Sequence, residues 1–211
     1  MTLMQQPNLR EQLILDLYTI KVLKFGEFKL KSGLLSPYYF DMRLLVSYPH
    51  ILRSIADIFW EKLRVLNFDI IVGVPYTGIP IATAIGLAHE QSMVFVRKER
   101  KDHGTKRLIE GDFHKGQKAV IVDDVITNGE SKLITIKPLE DEGLTVENVI
   151  VLVDRGQGGP ELLAKKNYNC QAIFTVDEIF KVLFSYKRIP KNLMDKSLRF
   201  SKETRRQFLS K

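Results

Sequence analysis

Hydrophobic positions change their spacing along this chain of 211 residues. Near the N terminus, apolar residues at helical spacing predict an opening helix around residues 13–18 and a second helix that begins near Pro49. The segment between these helices is rich in aromatic residues and is expected to be irregular. From residue 69 onward, short apolar runs rich in β-branched residues alternate with helical segments, which is typical of a chain that folds in strand-then-helix units.

The alternating region predicts strands at 69–75, 93–98, 118–125, 146–154 and 172–176. It predicts helices at 79–90, 130–142, 161–167 and 177–186. Repeated strand-then-helix units imply right-handed crossovers, and therefore a mainly parallel, twisted sheet flanked by helices on both faces. The hydrophobic pattern alone thus predicts an α/β fold.

One polar segment interrupts the alternation. Residues 99–116 connect two strong strands and contain His103, several glycines and a high density of lysine and arginine. Long loops in compact domains are usually functional or disordered. We therefore interpret 99–116 as a flexible catalytic loop, a lid that closes over an anion.

Length and composition bound the class of protein. The chain is long enough for one well-buried domain, and 45% hydrophobic with 27% charged residues is ordinary for a globular protein. No apolar stretch is long enough to cross a bilayer and no signal peptide is evident, so no membrane partner is expected. Cys170 is the only cysteine, which fits a reducing compartment, and a cytoplasmic location is predicted.

The net charge of +7 has a local origin. Residues 187–211 hold nine Lys or Arg against two acidic residues, so the remainder of the chain is formally neutral. The same tail carries apolar residues at roughly helical spacing, and its plainest interpretation is an amphipathic helix with a solvated basic face. No nucleic-acid partner is expected, although a nucleic-acid-binding role for the tail remains the alternative.

The richest candidate chemistry lies at residues 119–131. Four buried-type residues lead into Asp123 and Asp124, which are followed by a turn from Thr127 to Ser131. The two acids are expected at the carboxyl edge of the sheet, where ligands of open α/β folds bind and where carboxylates suit sugar hydroxyls. The turn amides would face the N terminus of the next helix, which favours a phosphate. Such a pair could also merely cap a helix, but the strand before it and the turn after it favour a ribose-phosphate site.

Other predicted strands also end on polar clusters. Residues 75–78 form a tight turn before a helix, Arg97 and Lys98 precede the lid, and residues 154–159 read Asp-Arg-Gly-Gln-Gly-Gly. Because parallel strands share one carboxyl edge, these clusters predict one ligand with several parts: a sugar, two phosphate groups and an anionic or planar partner.

The motifs resemble those of a known family. The run 122–131 resembles the phosphoribosyl pyrophosphate (PRPP) signature of type I phosphoribosyltransferases. Residues 25–40 and 97–104 look more narrowly like orotate phosphoribosyltransferases, and the stretches 73–77 and 105–111 are similar to the version fused into eukaryotic UMP synthase. The likeness covers about residues 10–186, with five motifs in order. It implies the type I phosphoribosyltransferase fold, with an N-terminal hood at residues 1–48 that binds the base, the loop 99–116, a domain ending near residue 186 and the basic tail beyond it.

The resemblance implies a role for each matching residue. Asp123 and Asp124 would bind the ribose hydroxyls and, with Lys101 and His103, form the catalytic set. The PRPP-binding residues would be Lys31, Tyr76, Thr77, Arg97, Lys98, Lys101, His103, Asp123, Asp124, Val125, Ile126, Thr127, Asn128, Gly129, Glu130 and Ser131. The orotate-binding residues would be Lys31, Tyr39, Phe40, Thr127 and Arg155.

The resemblance also implies the reaction and its partners. PRPP and orotate would give orotidine 5'-monophosphate and pyrophosphate, in a step of pyrimidine biosynthesis. Mg²⁺ is the expected cofactor, carried on PRPP oxygens rather than by protein ligands. Lid residues would serve the active site of the other subunit of a homodimer. A separate orotidine-5'-phosphate decarboxylase is a further candidate partner.

Departures and alternatives stay open at this point. Thr77 stands where many bacterial orotate enzymes have lysine, and Glu130 lies in a phosphate turn where a small residue is usual, so its side chain is expected to face outward. A type I transferase for another base and a PRPP-sensing regulator are the alternatives. A dinucleotide-binding domain is disfavoured because no G-x-G-x-x-G follows the first strand.

Overall fold

The computed structural model describes residues 6–30, 33–97 and 108–210. The helices are α1 (Leu9–Thr19), α2 (Pro49–Leu63), α3 (Gly78–His89), α4 (Glu130–Asp141), α5 (Gly159–Ala164), α6 (Val176–Ser185) and α7 (Lys191–Leu209), with a 3₁₀ helix at Met42–Ser47. The strands are β1 (Leu23–Lys29), β2 (Leu35–Phe40), β3 (Ile70–Gly73), β4 (Met93–Val96), β5 (Ile109–Glu110), β6 (Lys118–Ile126), β7 (Thr145–Asp154) and β8 (Asn169–Thr175). None of the helices within these ranges is long and apolar enough to cross a membrane.

A six-stranded sheet in the order β5-β4-β3-β6-β7-β8 forms the centre of the molecule. All its strand pairs are parallel except β4 with β5. Side chains alternate along β6: Val120 and Val122 belong to one core cluster, and Ala119 and Ile121 to the other. Both faces of the sheet are therefore buried under helices, and the α/β prediction is confirmed.

The aromatic-rich segment between α1 and α2 was predicted to be irregular, but this prediction is wrong. It contains the antiparallel hairpin β1–β2, which forms a separate two-stranded sheet. The pairing register shifts between Phe25 and Phe28. This bulge adds a residue to one strand and breaks the period of two that would have revealed the hairpin in the sequence.

The second half of the predicted lid is anchored to the sheet. Within the segment 99–116, strand β5 pairs antiparallel with β4, and the Ile109 side chain is buried. Gly111 lies so close to this pair that a Cβ there would come within 2.8 Å of Val94 Cγ1. An apolar residue and a glycine inside a polar segment thus attach residues 109–111, and the assignment of all of 99–116 as a flexible loop is wrong for this part.

The basic tail forms α7, which packs on the body of the molecule. Its apolar residues Leu193, Met194, Leu198 and Phe200 contact the core cluster that lies under α1, α2 and α6. The tail therefore has a solvated basic face, as its pattern predicts. Its other face packs on the domain whose end was predicted near residue 186.

Candidate active site

The acid pair lies near the C-terminal end of β6, at the carboxyl edge of the sheet. Asp123 is buried and accepts a hydrogen bond from the Asp124 backbone amide at 2.8 Å, and Asp124 accepts one from the Val125 amide at 2.7 Å. Gly78, the first residue of α3, packs on this edge: a Cβ there would lie 2.7 Å from Val122 O and 3.1 Å from Asp123 Oδ1. A glycine at this point lets α3 begin directly beside the carboxylates.

A buried lysine holds the first carboxylate. Lys132 Nζ, on the first turn of α4, lies 2.7 Å from Asp123 Oδ2 and also donates to Val125 O. The two side chains are only 3% and 7% exposed. Sequence reasoning did not identify Lys132, although the signal was present: it lies four and seven residues before Ile136 and Leu139, on the buried face of the helix.

The second carboxyl group has an unusual ionisation. Burial, together with the neighbouring charge of Asp123, raises the pKa of Asp124 from 3.8 to about 7, and Lys132 offsets only part of this effect. At neutral pH Asp124 is therefore poised between its charged and neutral forms. A ligand hydroxyl can donate to the carboxylate or accept from the protonated acid.

The loop between β6 and α4 has the form expected for a phosphate cradle. Gly129 precedes the helix with a φ of 82°, a left-handed conformation that favours glycine, and the Glu130 amide donates to Asn128 Oδ1 at 3.3 Å. Gly159 packs against the loop so tightly that a Cβ would come within 2.6 Å of Thr127 O. The N-terminal amides of α4 are thus brought to the same edge as the acid pair.

Arg155 lies next to this loop, directly after β7. Its backbone amide donates to Ile126 O at 3.1 Å, and its buried guanidinium donates from Nη2 to Ser36 Oγ at 3.3 Å. The guanidinium carbon stands 4.8 Å from the centre of the Tyr38 ring. Among the described residues, neither Arg155 Nε nor Gln157 Nε2 has a hydrogen-bond partner. Both donors are therefore buried, and such groups are rarely left without a partner in folded proteins.

A cavity of about 620 Å³ is lined by both the phosphate loop and Arg155, but not by Asp123 or Asp124. Its lining is Leu30, Thr127, Asn128, Glu130, Ser131, Ile134, Arg155, Gln157, Thr204 and Phe208. The structure thus brings together the predicted phosphate loop and the predicted orotate-binding arginine. The side chain of Glu130 is exposed, as expected, but it lies at this cavity and not away from it.

Other predicted residues lie elsewhere. Ile126 is buried in the core, and Val125 packs on the opposite core cluster, so only their backbones are available to a ligand. Tyr39 is half-buried with its ring 5.5 Å from that of Phe28, and Phe40 packs on Tyr38. Neither aromatic residue lines the cavity that contains Arg155.

The described pyrophosphate candidates follow the neighbouring parallel strands β3 and β4. Tyr76 is mostly exposed and Thr77 is half-buried, both in the turn between β3 and α3. Arg97 forms an ion pair with Glu110 at 3.0 Å and so is neutralised by the neighbouring strand. Lys31, Lys98, Lys101 and His103 lie outside the described residues. Within the described ranges, no group of three or more His, Cys, Asp or Glu side chains is placed to hold a metal ion.

Comparison with known proteins agrees with this geometry. The sequence profile described as phosphoribosyl transferase domain matches residues 45–187. The chain is 39% identical over 183 residues to orotate phosphoribosyltransferase of Chlamydia caviae, covering 86% of this chain and 89% of that protein. It is 40% identical over 193 residues to bovine uridine 5'-monophosphate synthase, covering 90% of this chain.

A solved structure gives the same relation in three dimensions. UMP synthase of Leishmania donovani superposes with a TM-score of 0.86 at 34% identity, and the match covers 92% of this chain. The chain spans only about 40% of the length of the bovine and Leishmania synthases.

An α/β sheet with a ribose-phosphate loop and an acid pair at its carboxyl edge defines the class of protein. The chain belongs to the phosphoribosyltransferase family. Within that family, it groups with the orotate phosphoribosyltransferases and with the corresponding part of UMP synthase.

Proposed function

We propose that this chain transfers the 5-phosphoribosyl group of PRPP to N1 of orotate, releasing pyrophosphate and orotidine 5'-monophosphate. The observation that carries the proposal is the cavity whose lining includes both the phosphate loop and Arg155. A ribose 5-phosphate and an anionic ring are the two ligands that this pairing suits, and they are the two halves of the product.

The PRPP half is assigned to β6 and the loop after it. Asp123 and Asp124 would contact the 2- and 3-hydroxyls of the ribose, and the amides from Thr127 to Ser131 would hold the 5-phosphate. The buried pairing of Asp123 with Lys132 supports this role, because PRPP is itself highly anionic and would be repelled by two uncompensated carboxylates.

The base half is assigned to Arg155. A guanidinium can meet a carboxylate with two parallel hydrogen bonds, and orotate differs from uracil by a carboxylate. Ser36 and Tyr38, both from β2, hold this guanidinium in place. The hood therefore contributes to base recognition by orienting Arg155, and Tyr39 and Phe40 remain proposed contacts on the basis of the family resemblance.

Catalysis would consist mainly of charge stabilisation. Negative charge grows on the departing pyrophosphate, and the family resemblance assigns Lys31, Lys98, Lys101 and His103 to that charge. Since Asp123 is already engaged by Lys132, the described residues fit a metal carried by PRPP oxygens and not a protein cage. When bound, Mg²⁺ would supply further neutralisation of the pyrophosphate.

The expected homodimer can be tested by mixing inactive variants. Lys101→Ala and Arg155→Ala proteins are each expected to turn over poorly. If Lys101 serves the partner subunit, subunit exchange creates one site with both residues and restores some activity. Verified exchange with no recovery would contradict shared sites. A cytoplasmic location and a decarboxylase that consumes the product complete the proposal.

A panel of bases tests the proposed reaction. The protein is mixed with PRPP, Mg²⁺ and, separately, orotate, uracil, hypoxanthine or adenine, and loss of base and release of pyrophosphate are measured. Orotate alone should be consumed. Consumption of another base in preference to orotate would refute the substrate, and PRPP binding without any turnover would favour a PRPP-sensing regulator.

A further inference from the structure

Helix α7 covers the residues that follow β7. A Cβ on Gly158 would lie 3.4 Å from Leu209 Cδ2 and 3.7 Å from Phe208 Cβ, so the last turn of α7 rests on the Arg155–Gly159 segment. The family profile ends at residue 187 and so does not include this helix. The contact nevertheless places α7 against the part of the chain that carries the base-binding arginine.

Side chains on one face of α7 attach it to the hood. Ser201 and Thr204 are buried, and the Ser201 Oγ forms a hydrogen bond of 2.8 Å with the Tyr38 hydroxyl. The Phe200 ring packs edge-on against the Tyr38 ring, with centroids 5.9 Å apart. Arg205, on the exposed side, forms an ion pair with Glu161 of α5. The helix is thus fixed to both β2 and α5.

The continuation of the buried face of α7 reaches the cavity itself. Thr204 and Phe208, four residues apart, both line the same 620 Å³ as Arg155 and Gln157. The Thr204 hydroxyl donates to Phe200 O at 2.7 Å, which leaves its oxygen as an acceptor. An aromatic ring, a hydroxyl acceptor and the side chains of Arg155 and Gln157 line one space. This combination matches a planar pyrimidine with ring N–H, carbonyl and carboxylate groups.

We propose that α7 forms one wall of the base-binding site and that Phe208 and Thr204 are specificity-determining residues for the pyrimidine. This inference rests on the proposed function for the identity of the base, and it assigns to the basic tail a role in substrate binding that its charge does not suggest. Phe208 would supply the apolar surface for the ring, and Thr204 would set the polar edge that the ring must match.

Steady-state kinetics of point variants test the wall. Phe208→Ala should raise KM for orotate about tenfold while KM for PRPP changes less than about twofold, because only the base contact is removed. Phe208→Tyr, which keeps the ring, should recover most of the affinity, and Thr204→Val should raise KM for orotate without lowering Tm. Gln207→Ala is the matched control, since Gln207 is the exposed neighbour of Phe208 on the same turn.

Two outcomes would overturn the inference. One is a KM for orotate in Phe208→Ala within about twofold of that in Gln207→Ala. The other is an equal rise in KM for PRPP, which would make Phe208 a general structural residue. If Phe208→Ala does not fold, Phe208→Leu, apolar but not planar, is measured instead. If the parent protein uses a base other than orotate, the proposed function fails, and the same comparison made with that base still decides whether α7 forms the wall.

Discussion

Replacement of Lys132 by methionine should destabilise the protein strongly. The side chain is almost fully buried, and its Nζ lies 2.7 Å from Asp123 Oδ2 and 2.5 Å from Val125 O. Methionine has a similar length and no charge, so the variant preserves most of the packing while it removes the ion pair and the hydrogen bond. Asp123 would then be a buried carboxylate without a compensating charge.

The magnitude follows from the geometry. Two charges 2.7 Å apart attract by roughly 6 kcal/mol at an effective dielectric constant of about 20, and desolvation opposes most of this for the intact pair. Breaking such a pair by removing one partner typically costs about 3–5 kcal/mol, because the remaining charge is still desolvated. We therefore expect Lys132→Met to lose about 3 kcal/mol or more of its free energy of unfolding, and the double variant with Asp123→Asn to recover most of the loss.

Urea unfolding at neutral pH measures this change through the fluorescence of Trp60, the only tryptophan. Lys137→Met is the matched control: Lys137 lies on the same helix and forms an i, i+4 pair with Asp141, but these side chains are 76% and 60% exposed. Its loss should stay below about 1 kcal/mol. A similarly small loss for Lys132→Met, or a double variant no more stable than the single one, would refute the assignment of a buried, coupled pair.

Three further predictions concern the same edge of the sheet. Arg155→Ala should raise KM for orotate and leave that for PRPP nearly unchanged, as measured by initial rates; equal losses would contradict the assignment to the base. The pKa of the Asp124 carboxyl group is 3.8 in its ordinary state and about 7 in the folded protein. The stability contributed by protonated Asp124 is therefore complete below pH 3.8 and is lost as pH rises through 7. The stability gained by Asp124→Asn, measured by urea unfolding, should therefore grow between pH 4 and pH 7 and level off above; a gain independent of pH would count against the raised pKa. Glu130→Gln should lower KM for PRPP, most clearly at low ionic strength, because an exposed negative charge at the cavity repels the phosphates; no change in KM at low salt would show that Glu130 does not act on PRPP.

Much of the sheet could be predicted from the sequence. The strand at 118–126 was predicted to within one residue, because a continuous run of β-branched residues is typical of a fully buried strand. The hairpin β1–β2 was missed because a bulge breaks its alternation, and the attachment of residues 109–111 was missed because two short apolar contacts are hidden in a polar segment. Local pattern fails where the pairing of one strand with another decides the structure.

The candidate site divides in the same way. The acid pair lies near the end of the predicted strand 118–125, and the turn from Thr127 to Ser131 and Arg155 come directly after predicted strands. The sequence therefore determined that they meet at one edge. Gln157 stands two residues from Arg155 and could have been included, but nothing in the local sequence indicates that its Nε2 has no hydrogen-bond partner among the described residues.

What the sequence determined by itself is the α/β class, the edge at which the chemistry lies and the family to which the chain belongs. These depend on hydrophobic periodicity and on motifs that are contiguous in the chain. The environment of these groups is visible only in the folded molecule: the burial of Lys132 beside Asp123, the raised pKa of Asp124 and the placement of Phe208 in the same cavity as Arg155. Each of these depends on contacts between elements distant in sequence, and on desolvation, which is a property of the packed molecule and not of any segment of it.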